Sequence, residues 1–236
     1  PKNNLSVGLV FAMTFNNNSI FGENNARTSD LSGSKNNGTV VGAAWNSSGK
    51  FGGAYDFDGT NDYINISDSS SLDITGPLTI SAWIYPRSTA NDTLVFSKIY
   101  YTSETNCGGY SLRKNNAGWE FNIANNAWGW YYEASGVNLN QWQQVVGIYD
   151  GTSTLKMYVN GVLQTLGGGD SSSPAPASIK NINQPLGIGY VEGNNLWPNY
   201  FNGSVDEVKI WNRSLSSDEI SQLYNSSLAK FNSAQW

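Results

Sequence analysis

The residues best equipped for chemistry are aromatic rings with amide neighbours. Trp128, Trp130 and Tyr131 crowd beside Asn126, Tyr101 lies in a second polar segment, and Trp197 and Tyr200 lie in a third. A sugar ring has an apolar face and a rim of hydroxyls, so aromatic platforms beside amides suit carbohydrate. The same rings suit a protein contact surface. Nine Trp and thirteen Tyr exceed what a core of this size needs, because buried indole N–H and phenol O–H groups require partners. Some of these rings are therefore expected at the surface.

Several chemistries are excluded by composition. Histidine is absent and Cys107 is the only cysteine, which removes Ser-His-Asp and Cys-His catalysis, multi-thiolate zinc and any internal disulfide. Asp56 and Asp58 form the only acidic pair two residues apart. Asp58 is expected to stabilise the tight turn at Gly59, with Asp56 directed to solvent.

Something must position the aromatic residues. The 236 residues are 39% hydrophobic and 13% charged with a net charge of −5, the composition of one self-folding domain over residues 1–236 with a polar, weakly charged surface. That charge offers no footprint for nucleic acid. The longest wholly apolar run, Val7 to Met13, is too short to span a membrane, so direct membrane insertion is not expected. The start at Pro1 reads as a mature protein or an excised domain. Nine Asn-x-Ser/Thr sequons exceed the roughly 5 to 6 expected by chance and tilt the reading towards a secreted or cell-surface glycoprotein.

Short alternating runs separated by Gly, Asn, Ser and Pro predict eleven strands: 9–15, 53–57, 63–66, 78–85, 94–98, 110–113, 119–123, 142–149, 155–159, 186–190 and 204–211. Thr79, Ser81, Trp83 and Tyr85 alternate with Leu78, Ile80, Ala82 and Ile84, which gives that strand one core face and one polar, aromatic face. Ser216 and Glu219 form a capping box, and Ile220, Leu223 and Tyr224 follow on one helical face. Residues 167–177 read as a long loop within the domain.

The stretch Lys50 to Ile64, KFGGAYDFDGTNDYI, resembles laminin-G-like domains of the concanavalin A-like lectin/glucanase superfamily. Blocks at Thr79–Pro86, Trp142–Gly151, Tyr158–Gly161, Leu186–Gly189 and Gly203–Trp211 follow in the family's order, and Ser214 to Tyr224 is similar to its closing helix. The resemblance implies an all-β, two-sheet antiparallel jelly roll with one C-terminal helix. By the same resemblance Trp83, Trp142 and Trp211 are packing residues. A structural calcium would be held by Asp206, by a carbonyl at Thr14 or Asn16, and by Gly59. Alternation along the strand sends Asp206 and Glu207 in opposite directions, leaving Asp206 to face the ion.

Glycosidases of this fold carry Glu-x-Asp-x-Glu on one strand, and no such triplet exists here. The expectation is a non-catalytic, extracellular glycan-binding or adhesion module whose partner is carbohydrate or a surface protein. A structural or assembly subunit of a surface polymer, with self-association, stands as the alternative. A polysaccharide-cleaving enzyme, with Glu120 and Glu133 meeting across strands, is the third.

Overall fold

The computed structural model describes residues 4–89, 93–103, 106–115, 118–126, 130–165, 175–190 and 200–233. In chain order its elements are β1 (Leu9–Met13), β2 (Arg27–Thr28), β3 (Gly38–Val41), β4 (Ala44–Asn46), β5 (Ala54–Asp58), β6 (Tyr63–Ile66), β7 (Leu78–Pro86), β8 (Thr93–Ser103), β9 (Asn106–Lys114), β10 (Gly118–Asn125), β11 (Trp130–Ser135), β12 (Gln143–Tyr149), β13 (Leu155–Val159), β14 (Val162–Leu163), β15 (Leu186–Ile188), β16 (Asn202–Trp211) and α1 (Ser217–Ser233). The first sheet runs β14-β13-β12-β7-β16-β5-β4, with β1 also paired to β16, and the second runs β11-β10-β9-β8-β15-β6-β3-β2. This is the expected antiparallel sandwich.

The core forms where the alternating apolar sets of the two sheets meet. Leu78, Ile80, Ala82 and Ile84 of β7 pack in one cluster with Phe96, Leu112, Phe121, Ile64 and Ile188 of the second sheet. Period-2 alternation then turns Thr79, Ser81, Trp83 and Tyr85 to the outer face of the first sheet. Helix α1 covers part of that face. Ile220 and Leu223 pack there with Val146, Ile148, Tyr158 and Trp211. The predicted capping box is present, with the Ser216 N–H donating to Glu219 (2.9 Å) and the Glu219 N–H donating to Ser216 Oγ (3.3 Å).

Three expectations are corrected. Trp142 is half-buried rather than a packing residue of the core, and tilts at 59° against Tyr85. Asp56 does not point to solvent, since its carboxylate accepts from Asn46, Arg87 and Ser204. The alternation assumed at Asp206 and Glu207 is broken by a bulge. Register shifts between Asp206 and Lys209, Glu207 takes a φ of 51°, and Val205 and Val208, three residues apart, both reach the core. An extra residue of this kind turns both acids to the same outer face.

Candidate functional site

The second sheet presents an outer face built by the same alternation. Because Ile64, Ile66, Leu186, Ile188, Phe96, Leu112, Phe121 and Ile123 point to the core, their neighbours point away from it. Register lines those neighbours up. Thr39 pairs with Asn65, Asn65 with Gly187, Gly187 with Ser97, Ser97 with Ser111, and Ser111 with Asn122. Strands lie ~4.8 Å apart, so Ser97 and Asn122 are separated by roughly 10 Å.

Ser97, Ser111 and Asn122 are each 1% exposed or less, and neither hydroxyl nor either end of the amide has a hydrogen-bond partner. A buried polar group left unpaired costs about 1–3 kcal/mol, so three in one row need a cause. One step along the strands, Glu120 pairs with Arg113 across β9 and β10, and Asn115 donates to the same carboxylate.

An aromatic group flanks this row. Tyr63 lies two residues before Asn65 on the same face, Tyr190 meets it edge-on at 6.2 Å, and Tyr190 stacks on Tyr200 at 4.2 Å and 25°. All three rings are half-buried. Main-chain bonds from Gly189 N–H to Val95 (3.0 Å) and from Phe201 N–H to Gly189 (2.9 Å) fix the residues beside Tyr190 and Tyr200. Gly189 has a φ of 85°, and a Cβ there would sit 2.5 Å from the Phe57 ring. Only glycine fits this approach.

The sequence-predicted ligand residues do not form one cluster. Trp128 and Trp197 lie outside the described residues. Tyr101 pairs with Cys107 near one end of the second sheet, and the N–H of exposed Asn126 donates to the Cys107 carbonyl (2.9 Å). Trp130 pairs with Ile123, and Tyr131 pairs with Asn122 in the register of β10 and β11. Tyr200 belongs to the tyrosine group beyond the opposite side of the row. Sequence reading missed Ser97, Ser111, Asn122, Tyr63 and Tyr190. For the three polar residues the signal available was a small polar side chain next to the core-facing apolar residues of its strand, as in Phe96-Ser97, Ser111-Leu112 and Phe121-Asn122-Ile123.

Glu120 and Glu133 are directly opposite in the register of β10 and β11. Glu120 is 2% exposed, and its carboxylate is engaged by Arg113 and Asn115.

The residues expected to bind calcium are divided between two places. Asp206 is fully buried, with its carboxylate accepting from Phe51 N–H (2.9 Å) and Glu207 N–H (2.6 Å). Asn16 Oδ1 accepts from Gly53 N–H (3.1 Å), in the same turn as Phe51. Thr14 directly follows β1 and is half-buried. Gly59 is elsewhere, packed on Asn202 at the far end of β16, four residues or roughly 13 Å from Asp206. Burial, and then the charge of Glu207, push the Asp206 carboxyl well above its usual range, against the two N–H donors and the charge of Lys209. The Glu207 carboxylate is ion-paired with Lys209. Among the described residues no three acidic or thiol side chains surround one point, so a calcium ion here would depend on Asp206 and main-chain oxygens.

Comparison with known proteins agrees with this architecture. No match was found among curated protein sequences. Among solved structures the chain is similar to the binding domain of Paraclostridial Mosquitocidal Protein 1, with TM-score 0.69 and 18% identity over 94% of this chain and 53% of that one. It is similar to domain 4 of AbnA, a GH43 extracellular arabinanase from Geobacillus stearothermophilus, in complex with arabinotriose, with TM-score 0.61 and 21% identity over 92% and 98%. It is also similar to the botulinum neurotoxin serotype G binding domain, with TM-score 0.64 and 16% identity over 92% and 50%. The chain spans about half the length of the toxin binding domains it matches. A laminin G family model, described as Concanavalin A-like lectin/glucanases superfamily, matches residues 58–221, and the chain belongs to that family.

Proposed function

We propose that this chain is a non-catalytic glycan-binding module acting outside the cell, with a neutral sugar held on the outer face of the second sheet. The observation that carries the reading is the row of Ser97, Ser111 and Asn122, buried without partners, beside the Tyr63–Tyr190–Tyr200 group. Hydroxyls and an amide both donate and accept, as sugar hydroxyls do, and the rings offer the apolar contact. The similar structures include a domain in complex with arabinotriose, a toxin binding domain, and botulinum neurotoxin type C, whose cell entry is described as dependent upon interaction with two ganglioside molecules. These likenesses support the reading, as do the nine sequons. No helix among the described residues is long and apolar enough to cross a membrane.

Calcium belongs to the same proposal. It would neutralise Asp206, since Glu207 already pairs with Lys209, and tie the 51–53 turn to β16. Its chemistry there would be structural. A glycan array probed with the wild-type chain, and with Ser111→Ala and Asn122→Leu, tests the assignment. Signal on neutral glycans that both variants lose supports it, and an array with no signal or with unchanged variants refutes it.

A self-associating surface subunit is the second reading, favoured by one observation. The edge strand β14 carries Val162 and Leu163, which are 63% and 52% exposed. Such an edge can pair with another chain. Light scattering across a concentration series separates the two readings.

A further inference from the structure

The outer face of the first sheet carries a second constellation, beyond the part covered by α1. Asp56 of β5 pairs with Ser204 of β16, and Ser204 pairs with Tyr85 of β7. All three turn outward because Tyr55, Phe57, Val205 and Ile84 fill the core. Pro86 follows Tyr85 and ends the strand, and the main chain of Arg87 is fixed by its N–H to Asn202 (3.0 Å).

The side chain of Arg87 is held at one end only. Its Nη2 donates to Asp56 (3.0 Å) and to Ser204 Oγ (2.7 Å). Asp56 accepts from Asn46 Nδ2 (2.9 Å) and from Ser204 as well. Burial raises the Asp56 carboxyl, but the hydrogen bonds from Ser204, Asn46 and Arg87 prevail and hold it below its usual range, so it stays ionised. Its two oxygens serve three side chains and act as a buttress. Among the described residues nothing accepts from Arg87 Nε or Nη1.

Those free donors stand over an aromatic shelf. The guanidinium lies 5.4 Å from the centre of the Tyr85 ring, and the Trp142 ring is 5.6 Å from Tyr85. Arg87 keeps 36% of its side chain exposed, and both rings are half-buried. Nη2 completes both paired edges of the guanidinium, so the free Nε–H and Nη1–H each offer one charge-assisted hydrogen bond to a carboxylate oxygen, in a fixed direction that a flexible ammonium does not keep. Prior orientation by Asp56 removes much of the ordering cost of binding.

We propose that Tyr85, Arg87 and Trp142 form a second binding site, which takes the carboxylate-bearing ring of an acidic sugar. The carboxylate meets Arg87 while the apolar face of the sugar ring lies on Trp142 and Tyr85. A neutral sugar would leave the free guanidinium N–H groups without an anion. An acidic peptide side chain would leave the shelf without a ring.

The test is an NMR titration of the full chain, following the Trp142 indole N–H, with methyl glucuronide, methyl glucoside and N-acetylglutamate amide as probes. The glucuronide is expected to shift that signal at concentrations at least tenfold below either of the others. Arg87→Lys should weaken glucuronide binding about tenfold or more although the charge is kept, and Trp142→Ala, followed through Tyr85, should do the same. The response should persist in Ser111→Ala, which separates this site from the one on the second sheet. Equal binding of the glucoside, equal binding of the glutamate, or unchanged affinity in Arg87→Lys overturns the proposal. The melting temperature of each variant reports whether it is folded, and Arg87→Gln gives a second check if the lysine variant is not.

Discussion

The indole of Trp83 lies almost parallel to the phenol ring of Tyr224, with centroids 5.8 Å apart and planes at 17°. Trp83 belongs to β7 and Tyr224 to α1, so this stack joins the outer face of the first sheet to the helix over it. Phe51 meets the indole edge-on at 5.4 Å, and the Lys50 ammonium sits 4.7 Å from a Trp83 ring centre. The N-terminal part of the family-like stretch and the closing helix therefore pack on one tryptophan. Its cross-strand partner is Asp206.

Trp83→Ala is accordingly expected to cost ~3–5 kcal/mol, the usual range for emptying a large buried aromatic site. Tyr224→Ala removes one stacking pair and should cost less, with about 1 kcal/mol for the stack beyond its area. Urea unfolding of both variants measures the difference. Equal, small losses would mean that the helix is not anchored through this pair.

The ion pair at the base of α1 sets a pH dependence. Arg213 grips Glu219 with Nη1 (2.9 Å) and Nη2 (2.7 Å). These bonds from Arg213, opposed by burial and aided by Ser216 N–H, lower the Glu219 pKa to about 2. An unfolded glutamate titrates near ~4.3. The stabilisation is therefore fully present above that value and is lost as pH falls towards 2, because the unfolded state binds the proton first. Glu219→Gln should lower stability at pH 7 and flatten the acid limb of the curve. Urea midpoints between pH 2 and pH 7 provide the check, and parallel curves for the two proteins would refute the assignment.

Calcium at Asp206 predicts a shift in melting temperature. An ion that binds only the folded state stabilises it by mass action, so chelation should lower the transition. Asp206→Asn should remove the response. Identical melts in chelator and in millimolar calcium would refute the site.

Much of the fold was legible because alternation is a local signal. All eleven predicted strands are present, with ends shifted by a few residues, and the capping box placed the start of α1. The strands missed were β2, β3, β4, β11 and β14. Four of these have four residues or fewer, too few to show a period, and β11 reads WYYEAS, whose aromatic run suggested a loop platform instead. The bulge at Glu207 left no mark because a left-handed glutamate has no local sequence requirement of the kind that glycine signals. The polar row was hidden for another reason. Ser97, Ser111 and Asn122 become neighbours only through the register of β8, β9 and β10, which turn geometry sets and composition does not.

The row yields a prediction in which stability and binding move in opposite directions. The Ser111 hydroxyl is fully buried and unpaired, so its desolvation is uncompensated in the free protein. Ser111→Ala removes that penalty and nearly keeps the volume, so the free protein should gain about 1 kcal/mol of stability. If the hydroxyl meets a sugar hydroxyl when ligand is present, the same change should weaken binding by about tenfold, equivalent to ~1.4 kcal/mol. Tyr190→Ala, which removes the ring between Tyr63 and Tyr200, should weaken binding without the gain in stability. Thermal melts and titrations with a glycan positive on the array measure both quantities on the same samples. A Ser111→Ala protein that is more stable and binds equally well would show that the row is a packing defect, and one that is less stable would show that the hydroxyl already has a partner in the free protein.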